Sequence, residues 1–281
     1  MSQNFNALIL ALIIVSSPIA AGMTSPDAVA LPILMYHHIA EGGAGSTVIC
    51  AETFGGHLSL LADNGYESVT PRQIINYVTD GSPLPDKPYL IVFDDGYESN
   101  LEFGLPLLLE YDEHAVICFI GSSVGCKTYK DTGNHIIPHF DINGARKLLD
   151  SGHITLGSHT WNMHMYAPLE SGRVREYAVR CADETEAQFE SAFYADCTAM
   201  RDFMMDELGC EMTVFAYPHG VWNYESETML REFDVDITLT TEPCVNILRR
   251  GERESLYLLG RFNICEATDF EALIESDFWR N

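Results

Sequence analysis

Apolar positions along the chain follow two rhythms, and the rhythms alternate. Short, mostly apolar runs read as strands: 31–36, 89–93, 115–120, 154–156, 214–216, 237–240 and 258–264, the last interrupted by Gly260, Arg261 and Asn263. Between them, apolar residues recur three and four apart, the spacing of one helix face. Those stretches predict helices over 54–62, 73–78, 101–111, 142–150, 183–208, 225–233 and 270–276. Local punctuation agrees: Asn64-Gly65 ends the first helix, Asp141 caps 142–150 and Gly152 stops it. Pro71 precedes the second helix, and Pro106 bends or delays the third. Strands buried on both faces and alternating with helices predict an α/β fold with a parallel sheet, either open or closed into a barrel. In such folds the chemistry gathers at the C-terminal ends of the strands.

The N-terminus departs from this rhythm. Residues 7–15 form an apolar run too short to span a bilayer, followed by small residues through Gly22. This reads as a secretory leader with cleavage near Gly22 or Ala30, although the first basic residue is Arg72. Residues 1–30 are therefore expected to be a signal peptide or short N-terminal anchor, and residues 31–281 a single catalytic domain. Export places the protein outside the cell or in its envelope.

Composition narrows the partners. With 47% apolar and 20% charged residues, the chain of 281 residues can bury a sizeable core. Its formal net charge of -25 repels phosphate backbones and anionic headgroups, so nucleic acid and membrane surfaces are not expected partners. A neutral or cationic polymer suits that surface, and the protein is expected to be a monomer. The eight cysteines include no Cys-x-x-Cys pair, which excludes a zinc ribbon. Cys118 lies in an apolar run and reads as a buried thiol, and disulfide pairing stays open.

Four predicted strand ends carry polar, reactive residues: Tyr36-His37-His38, Asp94-Asp95-Gly96, His159 through His164, and Tyr217-Pro218-His219-Gly220. Any one of them is as readily a turn or a capped helix start, but four on one face are costly to place without a use. Two imidazoles and one carboxylate make an open site for a divalent ion. His159 and His164 are five apart, a spacing that a continuous helix would turn away from one another, so a loop must carry them. One aspartate of the Asp94-Asp95 pair completes the trio and the other is left as a base.

These residues resemble those of the polysaccharide deacetylase family, the NodB-like carbohydrate esterases. The matching stretches are Ile91-Val92-Phe93-Asp94-Asp95-Gly96-Tyr97, 154–164, and Phe215-Ala216-Tyr217-Pro218-His219-Gly220. Met35-Tyr36-His37-His38-Ile39 and Leu258-Leu259-Gly260-Arg261-Phe262 fit a branch that includes deacetylases of poly-N-acetylglucosamine. The resemblance implies a distorted (β/α) barrel and metal-dependent hydrolysis of N-acetyl groups on an N-acetylglucosamine-containing polysaccharide. It implies Asp95, His159 and His164 as metal ligands, with Zn2+ the expected ion and Co2+, Ni2+ or Mn2+ as substitutes. It implies Asp94 as general base, the backbone N–H of His219 at the oxyanion, and His37, in preference to His38, as general acid. Tyr217, Pro218 and Trp222 are expected to contact the sugar, with Trp161 a further aromatic candidate.

The chain departs from the family at three points. Ala216 stands where many members carry an arginine that pairs with the base, and Arg261 is expected to replace it. His219 stands where tyrosine is usual. The C-terminal Leu-x-x-His that supplies the acid elsewhere is missing, which is why the acid is assigned to His37. Competing readings are an O-acetyl esterase acting on acetylxylan and a non-catalytic sugar-binding protein on the same fold. A non-haem iron oxygenase fits the ligand trio but not the helix-rich pattern. A glycosidase needs two carboxylates facing each other across a bond, which adjacent aspartates do not by themselves provide.

Overall fold

The computed structural model describes residues 27–42, 45–129, 133–164, 175, 177–276 and 279. The apolar run 7–15 and the cleavage position near Gly22 lie outside them. The strands are β1 (Ala28–Leu31), β2 (Ile33–Tyr36), β3 (His38–Ala40), β4 (Val48–Cys50), β5 (Glu67–Ser68) and β6 (Pro88–Asp95), then β7 (Ala115–Phe119), β8 (Ile154–Ser158), β9 (Val214–Ala216), β10 (Ile237–Leu239), β11 (Asn246–Arg249) and β12 (Phe262–Asn263). The helices are α1 (Ala51–Asp63), α2 (Pro71–Thr79), α3 (Leu105–Tyr111), α4 (Ile142–Asp150), α5 (Glu186–Phe203), α6 (Tyr224–Glu232) and α7 (Phe270–Glu275).

One parallel sheet organises the molecule, in the order β10-β9-β8-β7-β6-β2-β12, with β5 beside β6. Its residues alternate between two cores. Tyr89, Ile91 and Phe93 of β6, with Ile117 and Phe119 of β7, join the larger cluster beneath the helices. Leu90, Val92, Val116 and Cys118 point the other way, into a smaller cluster with Ala216, Leu239 and Leu259. Full burial of each large aliphatic side chain contributes roughly 1.5–3 kcal/mol, so consecutive apolar residues hold these strands on both faces.

The sheet curls until its edges meet. Leu259 forms a parallel bridge to Leu239 of β10, and three residues later β12 pairs with β2. The segment 258–264, expected as one strand, is instead this seam: a bridge on one side and two strand residues on the other. Thr238 holds it by accepting from Leu259 N–H and by bonding Leu258 N–H through its hydroxyl at 2.7 Å.

Other boundaries also shift for physical reasons. Pro32 has no N–H to give a ladder and divides 31–36 into β1 and β2. β1 then pairs antiparallel with β11, a strand the apolar pattern did not reveal because Asn246 and Arg249 interrupt it. Expected cleavage after Ala30 would fall inside β1. Asn100–Gly104 forms a wide π-helical turn and Pro106 enters near the start of α3, so the proline delays the helix. The long helix begins at Glu186, because Thr185 and Gln188 form a reciprocal capping box, and a second π-helical turn (Met204–Leu208) follows it. Asp141 caps α4 as expected, accepting from Gly144 N–H at 2.7 Å. All eight cysteines are free thiols, and Cys118 is buried. No helix among the described residues is long and apolar enough to cross a membrane.

Candidate active site

The reactive residues meet at one mouth of the barrel. β6 ends in Asp94 and Asp95. Asp95 has φ 71° and Gly96 φ 85°, a sharp left-handed turn. A Cβ on Gly96 would come within 2.5 Å of the Phe119 Cβ, so glycine is required for the turn to pass β7. His159 follows β8, and its Nδ1–H donates to the Ala216 carbonyl of β9 at 2.8 Å. That bond fixes the tautomer and leaves Nε2 as the lone-pair nitrogen facing the aspartates.

Asp95, His159 and His164 bring three ligand atoms within 4.8 Å of one another. Asp95 Oδ1 lies 3.7 Å from Nε2 of His159 and 3.7 Å from Nε2 of His164. It is buried without a hydrogen-bond partner, the condition of a ligand oxygen waiting for a cation. Burial, followed by the neighbouring His159, pushes the His164 pKa down to about 4, so its imidazole is neutral at pH 7. Two imidazoles and one carboxylate fit a divalent transition ion.

Asp94 points into the barrel. Oδ1 accepts from Arg261 Nη1 at 2.7 Å, and Oδ2 stands 3.9 Å from His159 Nε2. Burial opposes ionisation of both aspartates. Arg261 and His159 outweigh it at Asp94, and His159, His37 and His164 do so at Asp95, so both carboxyls titrate below their ordinary range. His37 follows β2, with Nδ1 buried and unpartnered. His38 is bonded through Nδ1 to the Ser99 hydroxyl at 2.8 Å. His219 takes a left-handed conformation, φ 54°, and its ring centroid is 4.8 Å from that of His164. A cleft of ≈ 430 Å³ opens beside the trio, lined by Asp95, Tyr97, His139, Asn162 and His164 among others.

The model of the polysaccharide deacetylase family matches residues 81–238, more than half of the chain. The chain belongs to the polysaccharide deacetylase family. Its sequence is 28% identical over 249 residues to YxkH of Bacillus subtilis (strain 168), which carries the polysaccharide deacetylase name, covering 88% of this chain and 76% of that protein. It is also 28% identical over 195 residues to the poly-β-1,6-N-acetyl-D-glucosamine N-deacetylase of Escherichia coli (strain K12). That match covers 65% of this chain but spans only 29% of the longer relative. The fold is that of a de-N-acetylase from Aggregatibacter actinomycetemcomitans, with a TM-score of 0.75 at 22% identity over 87% of this chain and 98% of that one. IcaB from Ammonifex degensii superimposes with a TM-score of 0.70 at 22% identity, covering 90% and 97% of the two chains. The parallel curled barrel is thus the NodB-like fold of this family.

Not every residue singled out for the family's site reaches the cleft. Tyr217 has no exposed surface, and its hydroxyl donates to Glu227 Oε2 at 2.8 Å, so its ring cannot form a sugar wall. Pro218 is likewise buried. Trp222 is 42% exposed but lines a separate depression with Val179, Arg180 and Tyr224. Trp161 packs over Gly121 and against Phe203, beside the cleft. Conversely, the sequence reading gave no role to Tyr97, His139 or Asp196. Tyr97 donates to Asp95 Oδ2 at 2.8 Å, and its place directly after Asp-Asp-Gly was the available signal. Asp196, on α5, accepts the N–H groups of Trp161 and Asn162 at 2.7 and 2.8 Å, and nothing in the sequence pattern marks that long-range contact.

Proposed function

We propose that this chain hydrolyses N-acetyl groups on an N-acetylglucosamine-containing polysaccharide, with Asp95, His159 and His164 holding a divalent ion. The observation that carries the reading is the arrangement around Asp95: an unpartnered buried carboxylate oxygen shared by two imidazoles, beside an aspartate held ionised by Arg261. When bound, the ion, zinc by preference, supplies an acidified water and a Lewis acid for the acetyl carbonyl.

The chain's own residues divide the remaining work. Asp94, kept anionic by Arg261, takes the proton from water as the water oxygen bonds to the acetyl carbon. His37 gives a proton to the nitrogen as the C–N bond breaks, releasing acetate and the free amine. The His219 N–H, presented by a left-handed turn, stabilises the oxyanion, a contribution of about 3 kcal/mol. Thr241 supports that turn, its hydroxyl donating to the His219 carbonyl at 3.2 Å. Trp222 serves the polymer at a distance from the reacting group. The preference for N-acetyl over O-acetyl groups draws on the name of the Escherichia coli relative. A polymer substrate and the apolar run at 7–15 support a place outside the cell or in its envelope.

The test is acetate release from N-acetylglucosamine oligomers and from acetylxylan, using chelated protein, zinc-restored protein and Asp94→Asn. Zinc-dependent release from the amino sugar, lost in Asp94→Asn, is the expected result. Release from acetylxylan alone would replace the substrate with an O-acetyl ester. No release from either, with metal bound, would leave a sugar-binding protein.

A further inference from the structure

The two oxygens of Asp95 are not equivalent. Oδ2 accepts a hydrogen bond from the Tyr97 hydroxyl at 2.8 Å. Oδ1 is buried without a partner and stands 3.7 Å from both histidine Nε2 atoms. One oxygen is thus occupied by a phenol and the other faces the imidazoles.

Tyr97 is itself held in place. Its ring lies 5.5 Å from that of His38, edge-on, and 5.0 Å from that of His139. Its backbone bridges His139 in antiparallel fashion, and the next residue, Glu98, donates its N–H to the Pro138 carbonyl at 2.8 Å. A side chain clamped at ring and backbone keeps its hydroxyl where it is, so the bond to Oδ2 is a fixed part of the site.

We propose that Tyr97 sets which divalent ion the site selects, by occupying Oδ2 and limiting Asp95 to a single ligand oxygen. This rests on the metal-dependent reading above. A carboxylate free to ligate through both oxygens raises the coordination number and adds oxygen donors, which suits larger, harder ions such as Mn2+. One oxygen with two imidazoles makes a nitrogen-rich site of low coordination, which suits Zn2+ and Co2+. Tyr97→Phe keeps the ring and its neighbours but releases Oδ2.

The experiment compares metal-free wild type and Tyr97→Phe, each titrated with Zn2+ and with Mn2+ against a chromophoric chelator, without substrate. The Zn2+ Kd is expected to rise roughly 10–100-fold, the cost of losing an outer partner of a ligand. Mn2+ binding is expected to hold or tighten, so the zinc-over-manganese ratio falls at least about tenfold. The visible absorption of the Co2+ form should weaken per bound ion as the coordination number rises. Thermal unfolding of both metal-free proteins verifies that the variant is folded. An unchanged selectivity ratio and Co2+ spectrum in folded Tyr97→Phe overturns the proposal, as does an equal loss of both ions. Wild type that binds neither ion overturns the metal-dependent reading and this proposal together, whereas normal wild-type zinc binding with unaltered selectivity in the variant overturns this proposal alone.

Discussion

Arg261 and Asp94 form a buried ion pair, Nη1 to Oδ1 at 2.7 Å, between residues 167 positions apart. Arg261 also donates from Nε to the Thr240 carbonyl at 2.8 Å, so one side chain joins the seam, β6 and the end of β10. Removing the guanidinium leaves a carboxylate in the barrel with no cation. Arg261→Ala is expected to lower the unfolding free energy by about 3–5 kcal/mol, measured in urea. It should also lower kcat, because a base that resists ionisation cannot take the proton. Arg261→Lys returns the charge without the fork and should recover part of both. A double-mutant cycle with Asp94→Asn isolates the pair from its neighbours.

His57 predicts the acid side of the stability profile. It lies on α1 with its ring stacked on Phe270 at 3.9 Å and its Nδ1 3.2 Å from the Tyr36 hydroxyl. Burial, opposed only in part by Glu266, pushes its pKa down from 6.5 to about 4. The unfolded chain therefore binds a proton in a range where the folded chain does not. Stability from this residue is complete above about pH 6.5 and is lost as the pH falls toward 4. Urea midpoints between those values should slope upward with pH, and His57→Phe should flatten the slope. A slope unaltered by His57→Phe would remove this residue from the account.

His37 predicts a difference between substrates. An amine leaves poorly without a proton, whereas a phenolate leaves readily. His37→Gln is expected to lower amide hydrolysis about 10²–10⁴-fold while sparing an activated aryl acetate. Zinc affinity should be unaltered in this variant. Equal losses on both substrates would assign His37 to something other than the leaving group.

Asp196 predicts that the proposed metal site depends on a helix outside it. Its carboxylate holds the backbone of Trp161 and Asn162, between His159 and His164. Thr160, at φ 72°, begins that turn. Asp196→Ala leaves two N–H groups without an acceptor and loosens His164 relative to His159. Zinc affinity should fall about tenfold or more, read by chelator competition, while the far-ultraviolet spectrum stays native.

Strands buried on both faces were legible because their central residues are apolar: the runs 89–93 and 115–119 lie within β6 and β7, and β6 continues past its run through Asp94 and Asp95. β1 and β11 were not, since their pairing joins segments more than two hundred residues apart and half of β11 is polar. Asp95, His159 and His164 were legible as residue types at strand ends that the fold brings together, and the roles proposed for them come from the resemblance. The seam was read as an ordinary strand because Leu258, Leu259, Phe262 and Ile264 carry the right side chains. Curvature, which decides that only Phe262 and Asn263 of this segment pair as a strand, leaves no trace in local composition. The same limit applied to Tyr217: an aromatic at a strand end can face either the sugar or the core, and its partner Glu227 lies on another element.

The seam has a consequence in time. During synthesis, Asp94 leaves the ribosome 167 residues before Arg261 does. At about 5–20 residues per second that interval is roughly ten to thirty seconds. Throughout it the carboxylate has no guanidinium and must stay hydrated, so the barrel mouth cannot dry out early. Arrival of Arg261 closes the sheet and gives the ionised Asp94 its buried partner, making closure of the barrel and burial of that carboxylate the same step.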